Sequence, residues 1–311
     1  MVQYLINILK VVLLGIVEGI TEWLPISSTG HMIILEQWLN LEGEFGADFW
    51  NLFLVVIQLG AIIAVFIAFI KKIWPFGENK TKEEKKKTWL LILNVCIACV
   101  PAGIVGILLD DWIDSHIMNF ITVSVTLIVY GIAFIVIEYL FKRNRNEFKV
   151  NDVYMMTWKT ALIIGCAQVL SLVPGTSRSG VTILAAMLIG CDRKTSAEFS
   201  FLVSIPVMFG ASLFKGAKYA MSGASLTDVE GSLLLIGCIV AFVVSLLTIK
   251  YFMKFIKNNT FTGFGYYRIA LGIVLVTYFC ITTYMNQTSL AYETMNLISR
   301  VHFASLRPVL L

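Results

Sequence analysis

Glu18 and Glu22 stand four residues apart in GIVEGITEWLPISSTGH, residues 15–31, so on a helix they share one face. Ser27, Ser28, Thr29 and His31 follow just past Pro25. Two carboxylates on one helical face suit a hard divalent cation, Mg2+ or Ca2+, which takes oxygen ligands. Such an ion bridges phosphate oxygens and stabilises the charge that develops when phosphorus is attacked. His31 has the acid–base range to move protons near neutral pH. Ser28 is placed either to attack phosphorus or to position a water.

A second polar cluster, PGTSRSGVT at residues 174–182, contributes Thr176, Ser177, Arg178 and Ser179. A helix starting after each proline presents unpaired N–H groups and the positive end of its dipole. Hydroxyls at such a start bind phosphate, which makes Ser27, Thr29, Thr176, Ser177 and Ser179 a candidate phosphate-binding set. Arg178 joins them with a planar fork suited to phosphate oxygens. Structural roles stand beside these. The glutamates could pair with a lysine, His31 could be a packing residue, Arg178 could snorkel, and each serine could be only a helix cap. Depth favours chemistry, because ionisable groups in membrane-grade sequence are costly and mark function.

The elements that must position these residues are membrane helices. Of 311 residues, 58% are hydrophobic and 14% charged, against roughly 25% charged in soluble domains. Apolar runs near 20 residues recur, enough to cross about 30 Å of hydrocarbon, and they are continuous rather than alternating, which argues against a β-barrel. The expected class is an all-α polytopic membrane protein, one domain over residues 1–285, surrounded by membrane lipid. The net charge of +4 sits mostly in loops and offers no basic face for nucleic acid. The N-terminus lacks the basic region of a cleavable signal. Cys96 and Cys99 form a CxxC inside an apolar run without a second pair, which reads as packing rather than zinc. The seven tryptophans, Trp23 among them, lie largely near segment ends and read as interfacial belts.

Taken in order, residues 4–38 read as a helical hairpin that Pro25 interrupts and that returns to its side of entry. Plain spans are expected at 49–70, 89–109 (kinked near Pro101 and Gly103), 117–141, 197–214, 231–249 and 265–284. Residues 157–190 repeat the interrupted design around Pro174. Basic loops at 71–87, 142–149 and 250–257 fall on one side, and acidic stretches at 36–48 and 110–114 on the other. The positive-inside rule makes the basic side cytoplasmic. The expectation is therefore six transmembrane helices plus two re-entrant helical hairpins.

A shift of 150 residues superposes parts of the chain: ADF at 47–49 answers AEF at 197–199, and Gly60-Ala61 answers Gly210-Ala211. Pro25–Gly30 answers Pro174–Gly180 with a one-residue slip. Repeat 1 covers about 4–70 and repeat 2 about 157–215. Three crossings separate the copies, so the second is inverted, an arrangement that places a site near the midplane where broken helices meet.

At these residues the chain closely resembles the bacterial undecaprenyl-pyrophosphate phosphatase family, also called the bacitracin-resistance protein family, over roughly residues 5–285. An (E/Q)xxxE motif is present as Glu18 to Glu22, running on into LPISSTGH, and PGxSRSxxT is intact from Pro174 to Thr182. The resemblance implies hydrolysis of undecaprenyl pyrophosphate to undecaprenyl phosphate and inorganic phosphate, recycling the lipid carrier for peptidoglycan and other envelope polymers. It also implies bacitracin resistance, a divalent cation, and an active site open to the outer face of the plasma membrane. Carried over by position, Glu18, Glu22, Ser28, His31 and Arg178 are the functional set, supported by Ser27, Thr29 and Ser177. Residues 286–311 extend beyond the family's usual end and receive no role. A homodimer is kept as a candidate assembly.

The alternative is a transporter or flippase for a prenyl phosphate or similar anion, since inverted repeats with broken helices also suit alternating access. Transport needs no nucleophile beside a metal-binding carboxylate pair, which favours the enzyme. A purely structural scaffold leaves the buried charges unexplained.

Overall fold

In lipid, each backbone N–H and C=O must be satisfied within its own segment, which makes continuous apolar runs helical. The computed structural model describes residues 1–77, 80–117, 119–143, 149–223 and 225–306, the side chains of 114, 143 and 286–306 excepted. Its helices are α1 (Val2–Thr21), α2 (Ser28–Leu39), α3 (Leu41–Phe45), α4 (Ala47–Ile73), α5 (Lys82–His116) and α6 (Phe120–Arg143). After a short 3-10 turn come α7 (Trp158–Gln168), α8 (Arg178–Leu188), α9 (Arg193–Met221), α10 (Asp228–Ile256) and α11 (Thr262–Leu306).

Among the described residues, seven helices are long and apolar enough to cross a membrane: α1, α4, α5, α6, α9, α10 and α11 as far as Met285. The six expected spans are all there, and α1, with 20 residues, qualifies by length as a seventh. The 12 residues of α2 and the 11 each of α7 and α8 are too short to cross at about 1.5 Å per residue. Several helices outrun their apolar cores, because polar caps lie beyond the hydropathy signal. Thr81 with Glu84 and Thr227 with Glu230 form capping boxes at the starts of α5 and α10. The expected kink at Pro101 falls inside an unbroken α5.

Packing pairs α1 with α10, α7 with α5, α4 with α9 and α6 with α11. Exchanging α1, α4, α5 and α6 for α7, α9, α10 and α11 maps these four pairings onto themselves. Two glycines allow the first two. A Cβ on Gly15 would lie 2.8 Å from the Gly237 carbonyl oxygen of α10, and one on Gly165 2.5 Å from the Ala98 carbonyl oxygen of α5.

Ion pairs tie the helix ends. At one end Lys72 of α4 pairs with Glu198 of α9, and Arg193 pairs with Glu138 of α6. At the other, Lys218 of α9 pairs with Asp110 and Asp111 of α5, and Lys10 of α1 with Glu44 of α3. Arg145 of the second basic loop and the tail side chains Glu293, Arg300, His302 and Arg307 lie outside the described residues. Trp23 corrects the belt assignment. It is fully buried and meets Phe201 edge-on at 5.2 Å, because it follows the end of α1 into the break rather than toward the interface. Trp50 is buried as well, while Trp38, Trp74, Trp89, Trp112 and Trp158 are exposed.

Candidate active site

Both breaks are built the same way. α1 ends at Thr21, three residues past Glu18. Glu22 keeps helical dihedrals (φ −66°, ψ −38°) and donates its N–H to the Glu18 carbonyl at 3.0 Å. The two carboxylates therefore stay on one face, as their spacing requires. Ser27 then caps α2 at φ 73°, its Oγ accepting the Gly30 N–H at 3.3 Å. Ser177 caps α8 at φ 71°, its Oγ accepting the Gly180 N–H at 3.2 Å. A serine at positive φ costs on the order of 1–3 kcal/mol, and such strain persists where the surrounding structure holds it. Ser28 thus answers Arg178 and Thr29 answers Ser179, in a register of 150 without a slip. The apparent slip belongs to the prolines alone, which stand at different steps of the two turns.

The breaks meet through Glu22. Its Oε2 accepts a hydrogen bond from Ser28 Oγ at 2.5 Å, and its Oε1 accepts one from Arg178 Nη2 at 2.6 Å. Arg178 also donates to the Ser200 carbonyl at 3.2 Å and to Met208 sulfur at 3.1 Å. Its guanidinium lies 6.0 Å from the Trp23 ring centroid. Ser179 Oγ donates to the Glu22 carbonyl oxygen at 3.3 Å. Sequence logic gives Glu22 to a cation and Arg178 to phosphate as separate tasks. The structure joins them, because opposite charges facing each other away from water pair strongly.

Glu18 is buried, and its Oε1 has no hydrogen-bond partner. An orphaned carboxylate oxygen one helical turn from a second carboxylate fits a hard cation. Glu22 has both oxygens engaged, and among the described residues no three His, Cys, Asp or Glu side chains stand together so as to hold a metal ion. The protein therefore offers two carboxylates at most. That suits Mg2+, which commonly takes one or two carboxylates and completes its shell with substrate phosphate and water.

His31 stands one step aside. Its Nδ1 meets the Ser27 carbonyl oxygen at 2.7 Å and its Nε2 the Tyr267 hydroxyl at 2.7 Å, and no hydrogen bond joins it to Ser28 or Glu22. Thr29 is partly exposed at the start of α2, Ser177 partly exposed at its cap, and Thr176 fully buried in the second break. His31 and Tyr267 border a largely apolar groove of about 500 Å³ between α1 and α11, walled by Val17, Ile20, Leu24 and Phe264.

Arg268 is the residue that sequence reading misses. It is fully buried in α11, donating to the Pro25 carbonyl at 3.2 Å and to the Gly175 and Thr176 carbonyls at 2.8 and 3.0 Å. One guanidinium thereby ties the two turns together. The signal exists, an arginine within an apolar span, and it is the rule that singles out Glu18. Tyr267 carries no such signal.

A family model described as bacitracin resistance protein BacA matches residues 11–274. An undecaprenyl-diphosphatase of Enterococcus faecalis is 52% identical over 273 residues, 88% of this chain and 97% of the relative. One of Streptococcus thermophilus is 50% identical over 277 residues, 89% of this chain and 94% of the relative. One of Lactiplantibacillus plantarum is 48% identical over 275 residues, 88% of this chain and 98% of the relative. The matched stretch contains both breaks and Arg268.

Proposed function

The chain belongs to the bacitracin resistance protein BacA family, and from that membership we propose that it hydrolyses undecaprenyl pyrophosphate to undecaprenyl phosphate and inorganic phosphate. The reaction recycles the lipid carrier for peptidoglycan and other envelope polymers, and it confers bacitracin resistance. Seven long apolar helices make the protein a multi-pass membrane protein.

The observation that carries the mechanism is the hydrogen-bonded chain from Ser28 through Glu22 to Arg178, which joins the two halves at one carboxylate. Ser28 Oγ, or a water it positions, attacks the terminal phosphorus, and Glu22 Oε2 takes the hydroxyl proton. The bridging oxygen leaves with undecaprenyl phosphate. If Ser28 is the nucleophile, water then opens the phosphoserine and its oxygen departs in inorganic phosphate. Arg178, with the starts of α2 and α8 and the hydroxyls of Ser27, Thr29, Thr176, Ser177 and Ser179, holds the phosphates. As the phosphoserine opens, Glu22 returns its proton to Ser28 Oγ, and His31, between Ser27 and Tyr267, takes the proton of the attacking water. The groove beside it receives the prenyl chain.

Two carboxylates facing a pyrophosphate need compensation. Unit charges about 4 Å apart repel by roughly 4 kcal/mol at an effective dielectric of 20, about a thousandfold in binding. A divalent cation, Mg2+ or Ca2+, held by Glu18 and Glu22, supplies that compensation when bound.

In this proposal six of the seven long helices cross, α1 turns back with α2 at Pro25, and the pieces around Pro25 and Pro174 form two re-entrant hairpins of an inverted repeat. The short α2, α7 and α8, the twin serine caps and the exchangeable packing pairs support it. Loop charge supports a site facing outside in the plasma membrane. With cysteine placed at Glu42 in a cysteine-free background, labelling by an impermeant reagent from outside agrees, and labelling from the cytoplasm alone inverts the topology.

The same exchangeable packing also suits a transporter or flippase for a prenyl phosphate, and one assay separates the two. Phosphate release from undecaprenyl pyrophosphate is measured with purified protein in detergent, with and without EDTA, alongside Glu22→Gln. Metal-dependent release lost on substitution supports the hydrolase. No release from folded, metal-supplied protein overturns it and moves the test to anion flux in liposomes.

A further inference from the structure

At the end of the molecule that carries the basic loops, α4, α9 and α10 leave a groove of about 610 Å³ between them. Lys250 and Lys254 line it from α10 and Lys257 from its C-cap, which keeps helical dihedrals, so all three share one face. Lys194 of α9 lines it from the opposite side. The single carboxylate in the lining, Glu198, is already held by Lys72 and lies 3.8 Å from Lys194. Among the described residues, Lys250, Lys254 and Lys257 have no acidic partner. The rest of the lining is apolar, Phe69, Leu246 and Met253 among it, and Leu247 opens onto the outer face of the bundle.

Lysines at the end of a membrane helix are expected from topology alone, and Lys254 and Lys257 also sit well at the negative end of the α10 dipole. Lys194 fits the topology but not the dipole, and its contact with Glu198 is shared with Lys72. It stands in the first turn of α9, where the dipole disfavours a cation. An anion at this groove would be attracted by four ammonium groups and by the α9 N-terminus together. A membrane-side groove with a cationic rim and an oily wall matches a molecule with an anionic head and an apolar tail, in the manner of basic pockets between helices that hold lipid headgroups.

We propose that this groove binds an anionic phospholipid of the leaflet on the basic side. Its phosphodiester lies among Lys194, Lys250, Lys254 and Lys257, and one acyl chain lies along Phe69, Leu246 and Met253. The site lies beside α4, α9 and α10, uses none of the residues assigned to hydrolysis, and stands whether or not that assignment holds.

The test is retention of phosphatidylglycerol against phosphatidylcholine on the purified full chain, read by native mass spectrometry at matched lipid concentrations. A lysine close to an anionic headgroup strengthens its binding roughly fivefold, so the groove variant Lys250→Gln, Lys254→Gln, Lys257→Gln should hold phosphatidylglycerol on the order of a hundredfold more weakly. A control with the same charge loss, Lys82→Gln, Lys85→Gln, Lys86→Gln, should bind as wild type. Met253→Trp should also lower retention by filling the groove without changing charge. Glycerophosphate should fail to displace the lipid, since it lacks the chain. Equal retention of the two lipids, equal losses in the triple variant and the control, unchanged retention in Met253→Trp, or displacement by glycerophosphate would each overturn the proposal.

Discussion

Replacing Arg268 by lysine keeps a charge at the junction of the two breaks but removes the fork. The native guanidinium donates to three carbonyls, those of Pro25, Gly175 and Thr176, from a side chain with no solvent exposure. A lysine ammonium reaches less far and retains one of these bonds. Hydrogen bonds from a charged donor contribute about 1.5–3 kcal/mol each, so losing two costs roughly 3–6 kcal/mol. That is a large part of a total stability of about 5–15 kcal/mol. At about 2–4 °C per kcal/mol for a larger domain, the unfolding midpoint should fall by roughly 6–24 °C. Pro25 and Thr176 lie beside the caps Ser27 and Ser177, so the turns should also loosen where phosphate is held. A displacement near 1 Å is enough to lower turnover by about a hundredfold. Thermal unfolding in detergent and phosphate release on the same preparation read both effects. A lower midpoint with wild-type turnover would make Arg268 a brace with no part in positioning. Wild-type values for both would refute the clamp, leaving the serine caps to hold the breaks.

Arg178→Lys should lower turnover on the order of a hundredfold while the protein stays folded, because a point charge cannot serve Glu22 and the Ser200 carbonyl together; wild-type kinetics would remove the role assigned to the fork. Glu18→Gln should raise the unfolding midpoint measured without divalent cation, by the equivalent of about 1–3 kcal/mol, while abolishing metal-dependent phosphate release, since it neutralises a buried carboxylate whose Oε1 has no partner; a lower midpoint would point to a partner that stabilises the charge. At the second cap, Ser177→Ala should cost about 1 kcal/mol in chemical denaturation and Ser177→Gly only a few tenths, because glycine gives up the cap bond but accepts φ 71° without strain. Equal losses would mean that the strain at this position is not felt.

The breaks are legible because their causes are local. A proline, a run of hydroxyls and a glycine inside lipid-grade sequence can be read from the residues themselves, and both breaks fold where those residues stand. Glu18 and Glu22 share a face because four residues make about one helical turn, and the helix holds through Glu22. The pairing of Glu22 with Arg178 joins residues 156 positions apart and has no local cause. Arg268 sits in a stretch that hydropathy alone treats as a plain span. Trp23 shows the same limit, since proximity to a segment end says nothing about whether the chain turns inward or toward the interface.

By itself the sequence determines that this chain is a helical membrane protein, where its helices break, and which polar residues lie in the breaks. Hydropathy and backbone preference act over a few residues, so they are written in the local pattern. Only the tertiary structure decides that Glu22 receives both Ser28 and Arg178, that Arg268 ties the two turns, and that His31 faces Tyr267. A buried charge takes whichever partner the packing of distant helices brings within reach, and that packing depends on the whole set of helix faces at once.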